Sequence, residues 1–280
     1  MKNFGYKNSE LSQRVALVTG AGRGIGRTTA LMLARRGAKI VAVSRSQENL
    51  QELESELRRE SGEGSMPAHL FLTLDLVASS GPEKLLEFLA EKGFPHIVVA
   101  NLHQRRESGR LGNNKFELDG KSVLENIAYL KAILPSTLLF QRQVGFGRWV
   151  GVSSMVASMG GPGQGLYTVQ KGVLENLLRT LALEEATHNI TANIVSPGLV
   201  DTPGVRENYG DELFEKISAM NLMGRAASPE EIAYAIAFLV SPYASYITGV
   251  TLPVCGGYNL SWSLQQQAAQ NSAVRKGEEP

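Results

Sequence analysis

The chain has 280 residues, with 28 Lys plus Arg against 27 Asp plus Glu and a net charge of +1, a balance that argues against a nucleic-acid binder working through bulk positive charge. Its single cysteine, Cys255, excludes an intrachain disulfide and a cysteine-built zinc cage. Hydrophobic residues at 43% and charged residues at 20% suit a globular chain that can bury a large core.

In chain order, residues 1–9 are polar and lack the apolar run of a secretory signal. No stretch approaches the ~20 apolar residues of a membrane helix, so the expectation is a soluble, cytoplasmic protein with no membrane partner. A first strand is expected over 14–20 (RVALVTG), followed by a glycine-rich turn, TGAGRGIG at 19–26, and a helical pattern. Further strands are expected over 38–45 (AKIVAVSR), 69–76 (HLFLTLDL), 96–101 (HIVVAN), 147–154 (GRWVGVSS), 190–198 (ITANIVSPG) and 250–257 (VTLPVCGG). Several are almost continuously apolar, as in strands covered on both faces. Residues 47–60 place Leu50, Leu53 and Leu57 on one helical face, and Ser228-Pro229-Glu230-Glu231 reads as a capped helix start. The alternation predicts an α/β single-domain Rossmann fold: a doubly wound parallel sheet of about seven strands with helices on both faces. Its core spans about 14–258, and residues 259–280 form a tail. Tyr258 at the end of the core and Leu260, Trp262 and Leu264 in the tail are expected to dock rather than stay solvated.

The glycine turn carries the first chemical signal. Thr19, Gly20, Gly22, Arg23, Gly24, Ile25 and Gly26 stand between a strand and a helix, the context in which backbone N–H groups cradle a pyrophosphate. The second strand ends in Ser44-Arg45, where an NAD site would carry a carboxylate for the ribose hydroxyls. Arg45, with Arg23 in the turn, would instead attract a 2′-phosphate, which favours NADP(H).

Tyr167 and Lys171 are four residues apart, on one face of a helix. That spacing alone is common. Ser154 ends a strand 13 residues earlier and Asn126 lies in the helix before that strand. Together with 19–26, this order resembles the short-chain dehydrogenase/reductase family over about 14–258. The resemblance implies a catalytic tetrad of Asn126, Ser154, Tyr167 and Lys171, with Tyr167 as general acid or base. Lys171 would lower its pKa and hold the nicotinamide ribose, Ser154 would orient the carbonyl, and Asn126 would support a water relay. It also implies cofactor contacts at Asp75, Leu76 and Asn101, and at Pro197, Gly198, Val200 and Thr202, and a homotetramer or homodimer. For the last, Leu174, Leu177, Leu178 and Leu181 suggest surplus apolar surface.

One stretch departs from the family's Asn-Asn-Ala-Gly: Ala100-Asn101-Leu102-His103. The bulkier Leu102 and His103 are expected to shift the local path. His103 is a candidate to touch substrate, beside the reading of a part-exposed histidine with a backbone partner. Arg105 and Arg106 could draw an anionic substrate or simply be solvated. Met155, Met159, Leu199 and Tyr209 are candidate substrate contacts, in a segment 199–223 that resembles the family's substrate lid. No cluster suggests a metal. The activity implied is NADP(H)-dependent reduction of a ketone or aldehyde. A 3-oxoacyl-thioester reductase is the alternative, and a non-catalytic NADP(H)-binding regulator is disfavoured because all four catalytic positions are kept.

Overall fold

The computed structural model describes residues 10–61, 68–104, 110–112 and 118–260. Arg105 and Arg106, and the tail beyond Leu260, lie outside the described residues.

Seven strands form one sheet: β1 (Val15–Thr19), β2 (Lys39–Ser44), β3 (Leu70–Thr73), β4 (Ile97–Ala100), β5 (Gly147–Val152), β6 (Ile190–Pro197) and β7 (Thr251–Val254). Their order is β3-β2-β1-β4-β5-β6-β7, and every pairing is parallel. The connecting helices are α1 (Gly24–Arg35), α2 (Gln47–Ser61), α3 (Gly81–Lys92), α4 (Gly120–Leu124), α5 (Ala128–Val144), α6 (Val156–Met159), α7 (Gly165–Glu185), α8 (Pro203–Ser218) and α9 (Pro229–Val240). The doubly wound α/β fold expected from the sequence is therefore the fold observed.

The strands' pleat divides the core in two. In β1, Ala16 and Val18 face one side and Leu17 the other; in β2, Ile40 and Ala42 oppose Val41 and Val43. The first face packs Leu33 of α1, Leu50, Leu53 and Leu57 of α2, and Ile232 and Ile236 of α9. The second packs Leu85 and Leu89 of α3, Ile133 of α5, and Leu174, Leu178 and Leu181 of α7. Each such burial stabilises by about 1.5–3 kcal/mol. Those three α7 leucines are thus core, which corrects their reading as surplus surface. The most exposed apolar residues of α5 and α7 are instead Leu139 at 58% and Leu183 at 86% exposure.

Most of the strands stop short of their expected C-terminal limits, and the difference matters. Gly20, Arg45, Asp75, Leu76, Asn101, Ser153, Ser154 and Gly198 all lie just beyond the last strand residue, where the chain turns outward. The chain winds one way from β1 to β2 and β3, then returns to β4 on the other side of β1. The crevice outside this switch point is where open α/β sheets bind ligands. At the start of α9 the Ser228 and Glu231 side chains each accept from the other's backbone N–H, at 3.4 and 2.9 Å, the reciprocal cap that the sequence predicts.

Candidate active site

The turn after β1 is shaped by what cannot fit there. Gly20 adopts φ +66°, and a Cβ on it would lie 2.9 Å from the Asn101 amide nitrogen. A Cβ on Gly26 would lie 2.2 Å from the Gly20 carbonyl oxygen, so any side chain there would force the turn open. Asn101 locks the turn from β4, its Nδ2 donating to the carbonyls of Thr19 and Gly20 at 3.1 and 3.3 Å. Thr19 is fully buried, and its hydroxyl accepts from the N–H groups of Asn101 and Leu102, both at 3.1 Å. Its side chain therefore ties β1 to β4, and only its backbone faces the turn. The side chain of Arg23, which precedes α1, makes no capping hydrogen bond, so no side chain closes this helix start where Gly24, Ile25 and Gly26 begin the first turn. Such a helix start between glycines suits a phosphate.

At the end of β2, Ser44 Oγ would be 2.5 Å from a Cβ on Gly22, so the turn and the strand end form one wall. Arg45 is exposed and has no ion-pair partner among the described residues. Arg23 meets Glu207 of α8 at 3.4 Å, with both side chains about two-thirds exposed. Asp75 is half-buried and its Oδ1 accepts from the Val77 N–H at 3.0 Å, beside the buried Leu76.

The catalytic candidates converge beyond β4, β5 and the start of α7. Asn126 lies in the three-residue turn 125–127 between α4 and α5, not inside a helix as expected. That break lets its amide reach the loop after β4: Oδ1 accepts from the Gln104 N–H at 2.6 Å and Nδ2 donates to the Gln104 carbonyl at 3.5 Å. The adjacent His103 packs edge-on against the Tyr167 ring, with centroids 4.7 Å apart. His103 is half-buried, so the departure at 102–103 places an aromatic partner beside Tyr167. Lys171 lies one turn along α7, with Nζ 5.8 Å from the Tyr167 ring centroid, donating to the Val152 carbonyl at 2.7 Å. Ser154 follows two residues after Val152, and its Oγ accepts a long 3.5 Å hydrogen bond from the Val156 N–H. Lys171 is 5% exposed, and burial pushes its pKa down to about 8, against the attraction of Glu175.

Residues 20–259 match the family model described as Enoyl-(Acyl carrier protein) reductase. The chain is a short-chain dehydrogenase/reductase. This oxidoreductase is 34% identical over 252 residues, 90% of its own length and 99% of the relative's, to 3-oxoacyl-[acyl-carrier-protein] reductase FabG of Pseudomonas aeruginosa. It is 35% identical to the protein of the same name from Escherichia coli, over 87% of this chain and 96% of that one. A solved structure titled a putative NAD(P) dependent gluconate 5-dehydrogenase from Beutenbergia cavernae, with bound NADP at low occupancy, superposes with a TM-score of 0.78 at 30% identity. That likeness covers 89% of this chain and 98% of the other.

On the substrate side of this dehydrogenase/reductase, the candidates separate. Met155, the residue after Ser154, is 6% exposed, and its sulfur accepts from Ser196 Oγ at 3.6 Å. Met159, at the end of α6, is 47% exposed. Leu199 and Tyr209 are half-buried; Leu199 lies in the connection to α8 and Tyr209 within it. Leu213, Met220, Leu222 and Met223 are exposed apolar residues of the same segment. A Cβ on Gly198 would touch the Cys255 backbone at 3.0 Å. Pro197 is buried at the end of β6. Val200 is core, and the Thr202 hydroxyl caps α8 by accepting from the Val205 N–H at 3.3 Å, so both would meet a cofactor through backbone more readily than side chain. Sequence reasoning missed Gln104, which Asn126 holds, and Glu175, buried one turn beyond Lys171. The signal for Glu175 was the Lys-to-Glu spacing of four on an apolar helix face. Among the described residues no metal-binding cluster is present, and no helix is long and apolar enough to cross a membrane.

Proposed function

We propose that this reductase converts a carbonyl compound to the alcohol with NADPH, reversibly, through Asn126, Ser154, Tyr167 and Lys171. The observation that carries the reading is the junction of a buried Lys171 with the Tyr167 ring at the ends of β4 and β5. The crevice fits the cofactor: at Gly22 and Gly26 a Cβ would collide with Ser44 and with the Gly20 carbonyl, so bare backbone turns tightly there, and α1 starts without a side-chain cap. Arg23 and Arg45 offer the cations that a 2′-phosphate needs. When bound, NADPH supplies the hydride.

The protein's part is the proton. Ser154 Oγ, which among the described residues takes part in one long hydrogen bond, would donate to the carbonyl oxygen and fix its position. Tyr167 would give the same oxygen its phenolic proton. A free Tyr, with pKa about 10, is a poor acid-base group near neutrality. A cationic Lys171 next to the ring favours the phenolate left behind. Asn126, by holding the Gln104 backbone, positions His103 on the outer side of the same ring.

A 3-oxoacyl thioester is the first substrate to test, because the relatives at 34% and 35% identity carry that name. The exposed Leu213, Met220, Leu222 and Met223 would suit its acyl chain. The assay is NADPH and NADH oxidation against 3-oxoacyl thioesters, simple ketones and aldehydes. Turnover with NADPH on one of these classes is expected. A clear preference for NADH refutes the cofactor assignment, and no turnover on any class refutes the carbonyl reading. Assembly as a homodimer or homotetramer, and a cytoplasmic setting without nucleic-acid partners, belong to the same proposal. Exposed Leu139 and Leu183 now support the assembly in place of the core leucines.

A further inference from the structure

Helix α7 carries Tyr167 and Lys171, and its next inward turn carries a carboxylate that the reaction itself does not use. Glu175 is 5% exposed. Its Oε1 accepts from Ser153 Oγ at 2.6 Å, and Ser153 is the residue before Ser154. Its Oε2 accepts from Arg179 Nη2 at 2.7 Å, and the same nitrogen donates to Thr251 Oγ1 of β7 at 2.9 Å. A buried carboxylate is expensive unless it is paired and hydrogen-bonded, and this one is both. The three residues Lys171, Glu175 and Arg179 recur every fourth position, so they stand on one face of α7.

We infer that Glu175 is a positioning residue for this reductase: it fastens the helix bearing Tyr167 and Lys171 to the strand end bearing Ser154, and supplies the negative charge that keeps Lys171 an ammonium in a desolvated place. The inference rests on the function proposed above. Two effects oppose each other at Lys171. Burial favours the neutral amine, and the Glu175 carboxylate favours the cation. Glu175 is in turn tempered by Arg179, so the charge that Lys171 feels is set by a pair rather than by one residue.

The surroundings leave few other sources of that charge among the described residues. From α7 itself the charged and titratable groups near Lys171 are Tyr167, Glu175 and Arg179, with Glu184 and Glu185 at the far end of the helix. Strands β5 and β6 and helix α6 present none beside Lys171, Arg148 lying at the opposite end of β5. The loop after β4 contributes His103, which packs on Tyr167, and β7 contributes the neutral Thr251. The turn between α4 and α5 contributes Glu125, which faces the Gln170 amide at 3.5 Å.

The test compares wild type with Glu175→Gln, Arg179→Gln and Ser153→Ala in two measurements. One is the pH profile of kcat for carbonyl reduction. The other is the titration midpoint of Lys171 by carbon-13 NMR of the lysine side chain in the cofactor-free protein, assigned with Lys171→Arg. Glu175→Gln keeps an oxygen for Ser153 and removes the charge, together with the second oxygen that accepts from Arg179. It is expected to lower the Lys171 midpoint, and with it the alkaline limb of kcat, by about one pH unit. Arg179→Gln leaves the carboxylate less neutralised and is expected to move both upward. Ser153→Ala removes the tether without touching charge and is expected to lower kcat while leaving the midpoint in place. An unmoved midpoint in Glu175→Gln, or a shift of the same sign in Glu175→Gln and Arg179→Gln, overturns the inference. If wild type reduces no carbonyl, the functional reading fails on its own, and the NMR midpoints still decide the role of Glu175.

Discussion

Replacing Lys171 by Met keeps the side chain's length and apolar stem and removes its charge. The wild-type ammonium is 5% exposed, with the Val152 carbonyl as its hydrogen-bond acceptor at 2.7 Å. Burial lowers its pKa from 10.5 to about 8. By linkage, a shift of that size destabilises the native state by about 3 kcal/mol while the group is charged. Losing the hydrogen bond to Val152 gives back about 1 kcal/mol, so Lys171→Met should be more stable by about 2 kcal/mol at pH 7. In a chain of this size that is a rise in thermal midpoint of roughly 4–8 °C. The pH dependence fixes the cause. The folded pKa lies below the unfolded one, so the penalty is fully present below about pH 8 and fades as pH rises toward 10.5. The variant's advantage should therefore shrink between pH 7 and pH 10, measured by scanning calorimetry on cofactor-free protein. A variant that melts below wild type at pH 7, or an advantage that does not shrink, would refute the picture of a desolvated cation. Activity should be lost at every pH, so stability and function are traded at one residue.

Three other perturbations separate the roles in the site. Tyr167→Phe should abolish turnover while NADPH titration shows near-wild-type affinity, because the ring that packs against His103 is kept. Arg45→Asp should weaken NADPH by one to two orders of magnitude, about 1.5–3 kcal/mol for a lost charge-assisted contact, and improve NADH relative to it, read by fluorescence titration of both cofactors. Glu207→Gln frees Arg23 from an exposed pair worth about 0–1 kcal/mol, so NADPH should bind up to about fivefold more tightly in the same titration. Sedimentation of the wild type at micromolar concentration should show a dimer or tetramer, and Leu183→Glu, altering a side chain 86% exposed, should shift it toward monomer.

The fold was legible because the buried central strands read as apolar runs, while the edge strands β3 and β7, only partly buried, were found as shorter apolar runs between turn residues. The glycine turn was legible because steric exclusion at Gly20 and Gly26 leaves one residue type. The order of Asn126, Ser154, Tyr167 and Lys171 was legible as a pattern, but their environment was not. Asn126 looked helical because its neighbours are good helix residues; the structure instead breaks at 125–127, where its amide bonds the Gln104 backbone. Met155 and Met159 looked equivalent, yet the sulfur of one meets Ser196 in the interior and the other ends a helix at the surface. The α7 leucines looked like surplus because periodicity counts apolar faces without showing how many elements cover them. Glu175 was passed over because a Glu on a helix is ordinarily solvated; its spacing of four from Lys171 hinted at more, and the approach of Ser153 and Arg179 shows it.

The central claim is that Tyr167 protonates the oxygen of a carbonyl whose carbon receives the cofactor's hydride. Its most direct test follows the isotope: NADPH deuterated at the nicotinamide position that transfers, incubated with the best substrate of the panel, and the alcohol analysed by mass spectrometry and NMR. Wild type should place one deuterium on the carbinol carbon with a single stereochemistry, and Tyr167→Phe should yield no labelled alcohol while still binding the cofactor. Unlabelled alcohol from wild type, or labelled alcohol from Tyr167→Phe at a comparable rate, would contradict the account.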